Sequence, residues 1–164
     1  IVHEKLYRTD NLVSINLLEY ISSLASALIS EFSTDEPLVT LDLTCDSSIE
    51  MTIDVGIPLG LIVNELITNS FKHGFYPNQR GKIGISIVTR QGNLEIEYRD
   101  SGRGLPPGFD LEKSDTLGMM IISNLIFQSS GEISFSTDNG AVVKMKIPTR
   151  EGFIIRGEKD ATRE

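Results

Sequence analysis

The sequence predicts an α+β fold: a two-layer α/β sandwich with a mixed sheet and helices on one face. Candidate strands come in neighbouring pairs, 82–90 with 93–99 and 132–137 with 142–147, each joined by a short turn. Three helical stretches are interleaved with these pairs. The hairpins demand antiparallel neighbours, which argues against a doubly wound parallel sheet.

Residues 12–32 predict the first helix, because Leu12, Ile15, Leu18, Ile21, Leu24, Leu28 and Ile29 recur at spacings of three and four. Pro37 follows at the break. Residues 38–44 alternate as a half-buried strand does, and Met51–Ile53 reads as a short second strand. Residues 56–73 form the strongest helical signal, with Pro58 in its first turn and Gly74 placed for a C-terminal cap. The pair 82–90 and 93–99 turns at Gln91-Gly92. Residues 101–115 carry Gly, Pro, Ser and Asp and read as a mobile loop, with little apolar surface to bury. A helix over 117–128 and the pair turning at Asp138-Asn139-Gly140 complete the pattern, which ends at Pro148. The folded domain is thus expected over 1–148. The tail 149–164 holds eight charged residues and is expected to fray, with Phe153-Ile154-Ile155 as a segment able to dock.

Composition narrows the function classes. The 164 residues are 40% hydrophobic and 23% charged, which suits a single packed domain. The net charge of −8 and pI of about 4.8 repel a phosphate backbone, so general nucleic-acid binding is not expected. The single cysteine, Cys45, allows no internal disulfide and suits a reducing compartment. The chain begins at Ile1 rather than Met, so the expectation is a cytoplasmic piece of a longer protein, whose parent is free to be membrane-anchored.

Two segments carry chemistry. On the helix 56–73, Leu59, Ile62, Val63, Leu66, Ile67 and Ser70 share the core face. Glu65, Asn69, Lys72 and His73 fall on an adjoining stripe. One acid, one amide oxygen and two possible cations suit Mg²⁺ and phosphate, since Mg²⁺ takes hard oxygen ligands shared with phosphates. The same stripe also reads as a solvated face with a Glu65–Asn69–Lys72 ladder. His73 beside Gly74 suits a partner for the helix dipole.

The second segment is Asp100-Ser-Gly-Arg-Gly104 at the end of a strand. Pro106 and Pro107 separate it from the next helix, so it is not a dinucleotide-binding turn, and it lacks the Gly-Lys-Ser/Thr of a phosphate-binding loop. A carboxylate held at a strand end accepts hydrogen bonds only and would prefer the amine of adenine to the carbonyl of guanine. An ordinary turn after a strand is the alternative.

Together, Asn64-Glu-Leu-Ile-Thr-Asn69, Asp100-Ser-Gly-Arg-Gly104 and Leu117-Gly118 resemble the N box and two glycine boxes of the ATPase superfamily that contains DNA gyrase, the heat-shock chaperone, mismatch-repair ATPases and histidine kinases. His3-Glu-Lys-Leu-Tyr7, the run Ile57–Asn69 and Lys72-His73 look more narrowly like the second subgroup of sensor histidine kinases. The resemblance covers residues 1 to 148 and implies a Bergerat-type ATP-binding fold, with residues 1–11 as linker from an upstream dimerisation hairpin. It implies ATP and Mg²⁺ as cofactors, with Asn69 as the metal ligand and Asp100 on the adenine amine. Lys72 and His73 would lie near the nucleotide. Gly102, Gly104, Thr116, Leu117 and Gly118 would shape the pocket and its lid, and Glu65 would be the catalytic base. It also implies partners: the parent's phosphoacceptor hairpin, a response regulator, and a second copy of the parent as homodimer.

The chain departs from that pattern. Neither His3 nor His73 matches the acceptor histidine of the family. The last strand opens Gly140-Ala141 where the family has Gly-Thr, and Thr116-Leu117-Gly118-Met119-Met120 holds one glycine. Alternatives are an anti-sigma-type serine kinase and a degenerate nucleotide-binding module.

Overall fold

The computed structural model describes residues 13–33, 38–113, 116–149 and 153–155. In chain order these form β1 (Ser14–Asn16), α1 (Leu17–Phe32), β2 (Val39–Cys45), β3 (Ile49–Thr52) and α2 (Ile53–Asn69). A π-helical turn, Ser70–Gly74, closes α2. Then come β4 (Gly81–Arg90), β5 (Asn93–Asp100), α3 (Leu117–Gln128), β6 (Glu132–Thr137), β7 (Ala141–Pro148) and β8 (Phe153–Ile155).

The main sheet has the order β2-β4-β5-β7-β6; β2 runs parallel to β4, and the other pairs are antiparallel. It is the mixed sheet expected. Strand period two sorts its side chains. Ile83, Ile85 and Ile87 of β4 lie opposite Asp100, Tyr98 and Ile96 of β5, and Tyr98, Ile96 and Leu94 lie opposite Val143, Met145 and Ile147 of β7. All of these are buried, and the hydrophobic ones join Leu17, Ile21, Ile62, Leu66, Ile67 and Ile122 of the helices in one core. Lys82, Lys144, Lys146 and Glu132 point the other way and are exposed. One face of the sheet is thus covered by helices and the other carries charge.

Local signals place the helices. Asn16 caps α1, its side-chain oxygen accepting from the Glu19 amide at 3.1 Å. Thr116 caps α3 by accepting from the Met119 amide at 3.4 Å. Gly60 lets α1 approach α2, since a Cβ there would strike the Tyr20 ring.

Three boundaries differ from the sequence expectation. The first helix begins at Leu17 rather than 12, because Ser14–Asn16 pair with Glu50–Thr52 of β3 as a strand. The helix carrying the N box begins at Ile53 rather than 56, where β3 hands the chain over at Thr52. Its last turn widens into a π-turn, with the Phe75 amide bonding the Ser70 carbonyl at 2.7 Å. Beyond Pro148, Phe153–Ile155 pair antiparallel with Ile49–Met51, completing a small sheet in the order β1-β3-β8. Residues 1–12, with His3 and the whole of the expected linker, and residues 150–152 and 156–164 of the tail lie outside the described residues. No helix among the described residues is long and apolar enough to cross a membrane.

Candidate functional site

The end of α2, its π-turn, the end of β5, the glycine loop and the start of β7 surround a cavity of about 440 Å³. That volume falls in the range of small-molecule sites. Apolar side chains from Leu66, Met119, Phe109, Phe135, Ala141 and Val143 line it, and Asn69, His73, Asp100, Arg103 and Thr116 bring polar groups to it.

Asp100 is the focus of the polar contacts. It is the last residue of β5 and is 7% exposed. Its Oδ1 accepts from the Gly102 and Ala141 amides, both at 3.0 Å, and its Oδ2 accepts from the Ser70 hydroxyl at 2.7 Å. Two backbone amides and a hydroxyl thus give this buried side chain the partners that its burial takes from water. Ser70 and Tyr98 complete the network: their hydroxyl oxygens lie 2.6 Å apart, and each lies 3.2 Å from the Leu66 carbonyl oxygen. Burial holds the Tyr98 phenol above its ordinary range, with the Asp100 charge adding to this and the Ser70 bond opposing it. Tyr98 therefore keeps its proton. Among the described residues every buried side-chain nitrogen or oxygen has a partner.

Glycines allow this crowding. A Cβ on Gly140, whose φ is +134°, would overlap the Asp100 carbonyl, and one on Gly102 would overlap the Gly74 backbone. The loop is pinned on both sides. The Arg103 amide donates to the Gly74 carbonyl at 2.9 Å, and the Leu105 amide to Thr137 Oγ1 at 3.1 Å. The Arg103 side chain reaches the Gly74 and Phe75 carbonyls at 3.3 and 3.4 Å and lies 4.5 Å from the centre of the Tyr76 ring. Phe109 packs on Phe135 with ring centres 5.1 Å apart. The loop expected to have little to bury thus has an aromatic anchor.

Of the residues singled out in sequence, Asn69, His73, Asp100, Gly104 and Thr116 line the cavity. Gly102 borders it through its bond to Asp100. Lys72 is exposed and lies outside the cavity lining. Both residues sit in the π-turn Ser70–Gly74, and of the two only His73 joins Asn69 at the cavity. Glu65 is half-buried at the contact of α2 with α3, where a Cβ on Gly118 would collide with its carboxylate. Leu117 is 73% exposed at the start of α3.

Ser70, Tyr98, Arg103, Phe109 and Phe135 belong to the site and were not assigned to it in sequence. Ser70 sits on the core face of its helix, and a polar residue on that face was the available signal. Position 141 meets Asp100 through its backbone amide, so the Ala141 that replaces the family's threonine keeps a contact there.

The residues fit a purine nucleotide with Mg²⁺. Apolar walls suit a flat ring, Asp100 supplies a buried acceptor, and Asn69 supplies an uncharged oxygen. Among the described residues no group of three or more His, Cys, Asp or Glu is arranged to hold a metal unaided. Mg²⁺ bound chiefly by phosphates and water needs no such group.

Comparison with known proteins agrees with this geometry. The chain is 28% identical over 138 residues to the sensor histidine kinase PdtaS of Mycobacterium tuberculosis, an alignment covering 82% of this chain and 27% of that protein. It is 29% identical over 97 residues to an anti-sigma F factor of Heyndrickxia coagulans, covering 52% and 64%. Its fold matches the histidine kinase domain of the blue-light-activated kinase EL346 of Erythrobacter litoralis with a TM-score of 0.73, at 24% identity and covering 82% and 61%. Residues 54–151, more than half of the chain and spanning α2 to β7, match the model of the histidine kinase-, DNA gyrase B- and HSP90-like ATPases, and the chain belongs to that family.

Proposed function

We propose that the chain binds Mg-ATP and passes its γ-phosphoryl group to a histidine of the parent protein, as the catalytic domain of a two-component sensor kinase. The observation that carries this reading is Asp100, a buried carboxylate held by three donors on the wall of a largely apolar cavity. It accepts the adenine 6-amine, which guanine replaces with a second acceptor. Asn69 would hold Mg²⁺ by its amide oxygen, while His73 and Arg103 bring an imidazole and a guanidinium to the cavity. When bound, Mg²⁺ would supply charge stabilisation to the phosphates.

In the transfer, a bond forms between phosphorus and an imidazole nitrogen, the bond from phosphorus to the ADP oxygen breaks, and Glu65 takes the imidazole proton. Glu65 lies at the α2–α3 contact, off the base pocket, as suits a group that meets an incoming protein and leaves the nucleotide alone. The acceptor hairpin, a response regulator and a homodimeric parent are the partners this reading requires. The chain spans about a quarter of the length of the PdtaS relatives it matches, so these partners belong to the proposal.

The likeness to anti-sigma F factors supports a second reading, an ATP-dependent serine kinase. One experiment separates the two. The chain is mixed with γ-labelled ATP, Mg²⁺ and the parent's upstream helical hairpin. Acid-labile, base-stable label on the hairpin is expected, and Glu65→Gln slows its appearance far more than it weakens ATP binding. Acid-stable label on serine would overturn the histidine reading.

A further inference from the structure

A carboxylate offers about four lone-pair sites. In Asp100, two on Oδ1 are taken by the Gly102 and Ala141 amides and one on Oδ2 by the Ser70 hydroxyl. One Oδ2 site remains for a ligand.

The third donor depends on how two protons are shared. Ser70 has one proton and three acceptors in reach: Leu66 O at 3.2 Å, Tyr98 Oη at 2.6 Å and Asp100 Oδ2 at 2.7 Å. Tyr98 has one proton and two acceptors, Ser70 Oγ and Leu66 O at 3.2 Å. An ionised carboxylate attracts a donor more strongly than a neutral carbonyl does. Whichever acceptor Tyr98 chooses, the Ser70 proton goes to Asp100. Tyr98 either donates into Ser70 Oγ or satisfies Leu66 O, and each choice removes an alternative for Ser70.

We propose that Ser70 and Tyr98 are positioning residues that set the base selectivity of the cavity, by filling all but one acceptor site of Asp100. The proposal rests on the reading of the cavity as an adenine site. A single remaining lone pair accepts one N–H from a purine 6-amine and repels a 6-oxo group. Without the Ser70 hydroxyl a second lone pair opens on Oδ2. A water bound there can donate both to Asp100 and to a 6-oxo oxygen, which removes the repulsion. Ser70 is 3% exposed and its hydroxyl lies 2.7 Å from Oδ2, so the hydroxyl itself fills that place.

The test is calorimetric titration of the whole chain with Mg²⁺ salts of ATP, GTP and purine riboside triphosphate, which carries no 6-substituent. It is run on wild type, Ser70→Ala and Tyr98→Phe, with circular dichroism reporting folding. The wild type should prefer ATP to GTP. Ser70→Ala should lower that ratio about tenfold, as expected for loss of one hydrogen bond to a charged group. Tyr98→Phe should lower it about threefold, and both should bind the unsubstituted purine within twofold of wild type. If folded variants keep the wild-type ratio, or lose all three nucleotides in equal proportion, the positioning role is overturned while the adenine site stands. If the wild type itself binds ATP and GTP alike, the adenine reading is what fails. Tyr98→Phe removes only one oxygen, so it carries the test should Ser70→Ala not fold.

Discussion

Strand β5 carries two kinds of polar chemistry on its two faces. On the outer face Glu97 pairs with Arg99 and, at 3.9 Å, with Lys144; Arg99 reaches Asp138 at 3.3 Å, and Arg90 reaches Glu95 at 3.4 Å. These side chains are about one-third to two-thirds exposed. Their neighbours push the Arg99 guanidinium further above its ordinary value, the Glu97 hydrogen bond most of all. On the inner face one carboxylate, Asp100, ties β5 to the π-turn, the glycine loop and β7. The outer face has more formal charge, yet water and salt compete for every pair there. The inner face has a single carboxylate, and its loss leaves the Gly102 and Ala141 amides without their acceptor, while Ser70 falls back on Leu66 O or Tyr98 Oη. The weight of a polar group in this fold follows from its burial, and the number of charges around it counts for little.

The largest expected effect comes from breaking the inner network. Asp100→Ala should destabilise the domain by about 1–3 kcal/mol for each donor left unpaired, measured by urea unfolding. It should also abolish ATP binding at concentrations that saturate the wild type. A folded Asp100→Ala that binds ATP normally would erase the contrast between the faces.

Next in size is a test of the close approach behind Asp100. Gly140→Ala meets both a backbone overlap and a positive φ, whereas Gly92 has a φ of +75° and open space around it. The conformational cost alone is roughly 1–2 kcal/mol, which Gly92→Ala should show in its unfolding free energy. Gly140→Ala should exceed it clearly, and equal losses would mean that the backbone behind Asp100 yields easily.

Alkaline pH sharpens the comparison further. The Tyr98 phenol is raised above its ordinary value of 10.0 in the folded state. The folded protein therefore holds this proton more tightly than the unfolded chain does. The resulting stability is complete below pH 10 and declines as pH rises toward the folded value. Unfolding free energies followed above pH 10 should fall less steeply in Tyr98→Phe than in wild type, and parallel curves would contradict the buried-phenol account.

The smallest effect belongs to the outer face. Glu97→Ala should cost under about 1 kcal/mol, shrink with added salt, and leave ATP affinity unchanged. A loss as large as that of Asp100→Ala would show that the outer pairs act as a unit.

Much of this molecule is legible in the chain. Alternation in 82–90 and 93–99 places the hairpin, because a half-buried strand must alternate. Asp100-Ser-Gly marks the strand end, and Pro58 to His73 marks the helix that faces it. Ser14–Asn16 and Phe153–Ile155 were harder to read. Three-residue strands have too few alternations to show a period, and their partners on β3 are distant in sequence. The π-turn was hidden for a similar reason. Nothing in Ser-Phe-Lys-His-Gly departs from a helical pattern, and the widening puts Ser70 on Asp100 and Gly74 against the glycine loop.

By itself the sequence determined the α+β class, the mixed sheet with helices on one face, and the carboxylate and asparagine that meet at one cavity. These follow from local periodicity and residue chemistry, which act within a few positions. Only the tertiary structure decided that Lys72 leaves the cavity while His73 stays at it, that Glu65 rests against α3, and that Ser70 and Tyr98 complete the Asp100 network. Those outcomes depend on contacts between residues such as Ser70 and Asp100 that are brought together by packing, and no local pattern encodes the distance between them.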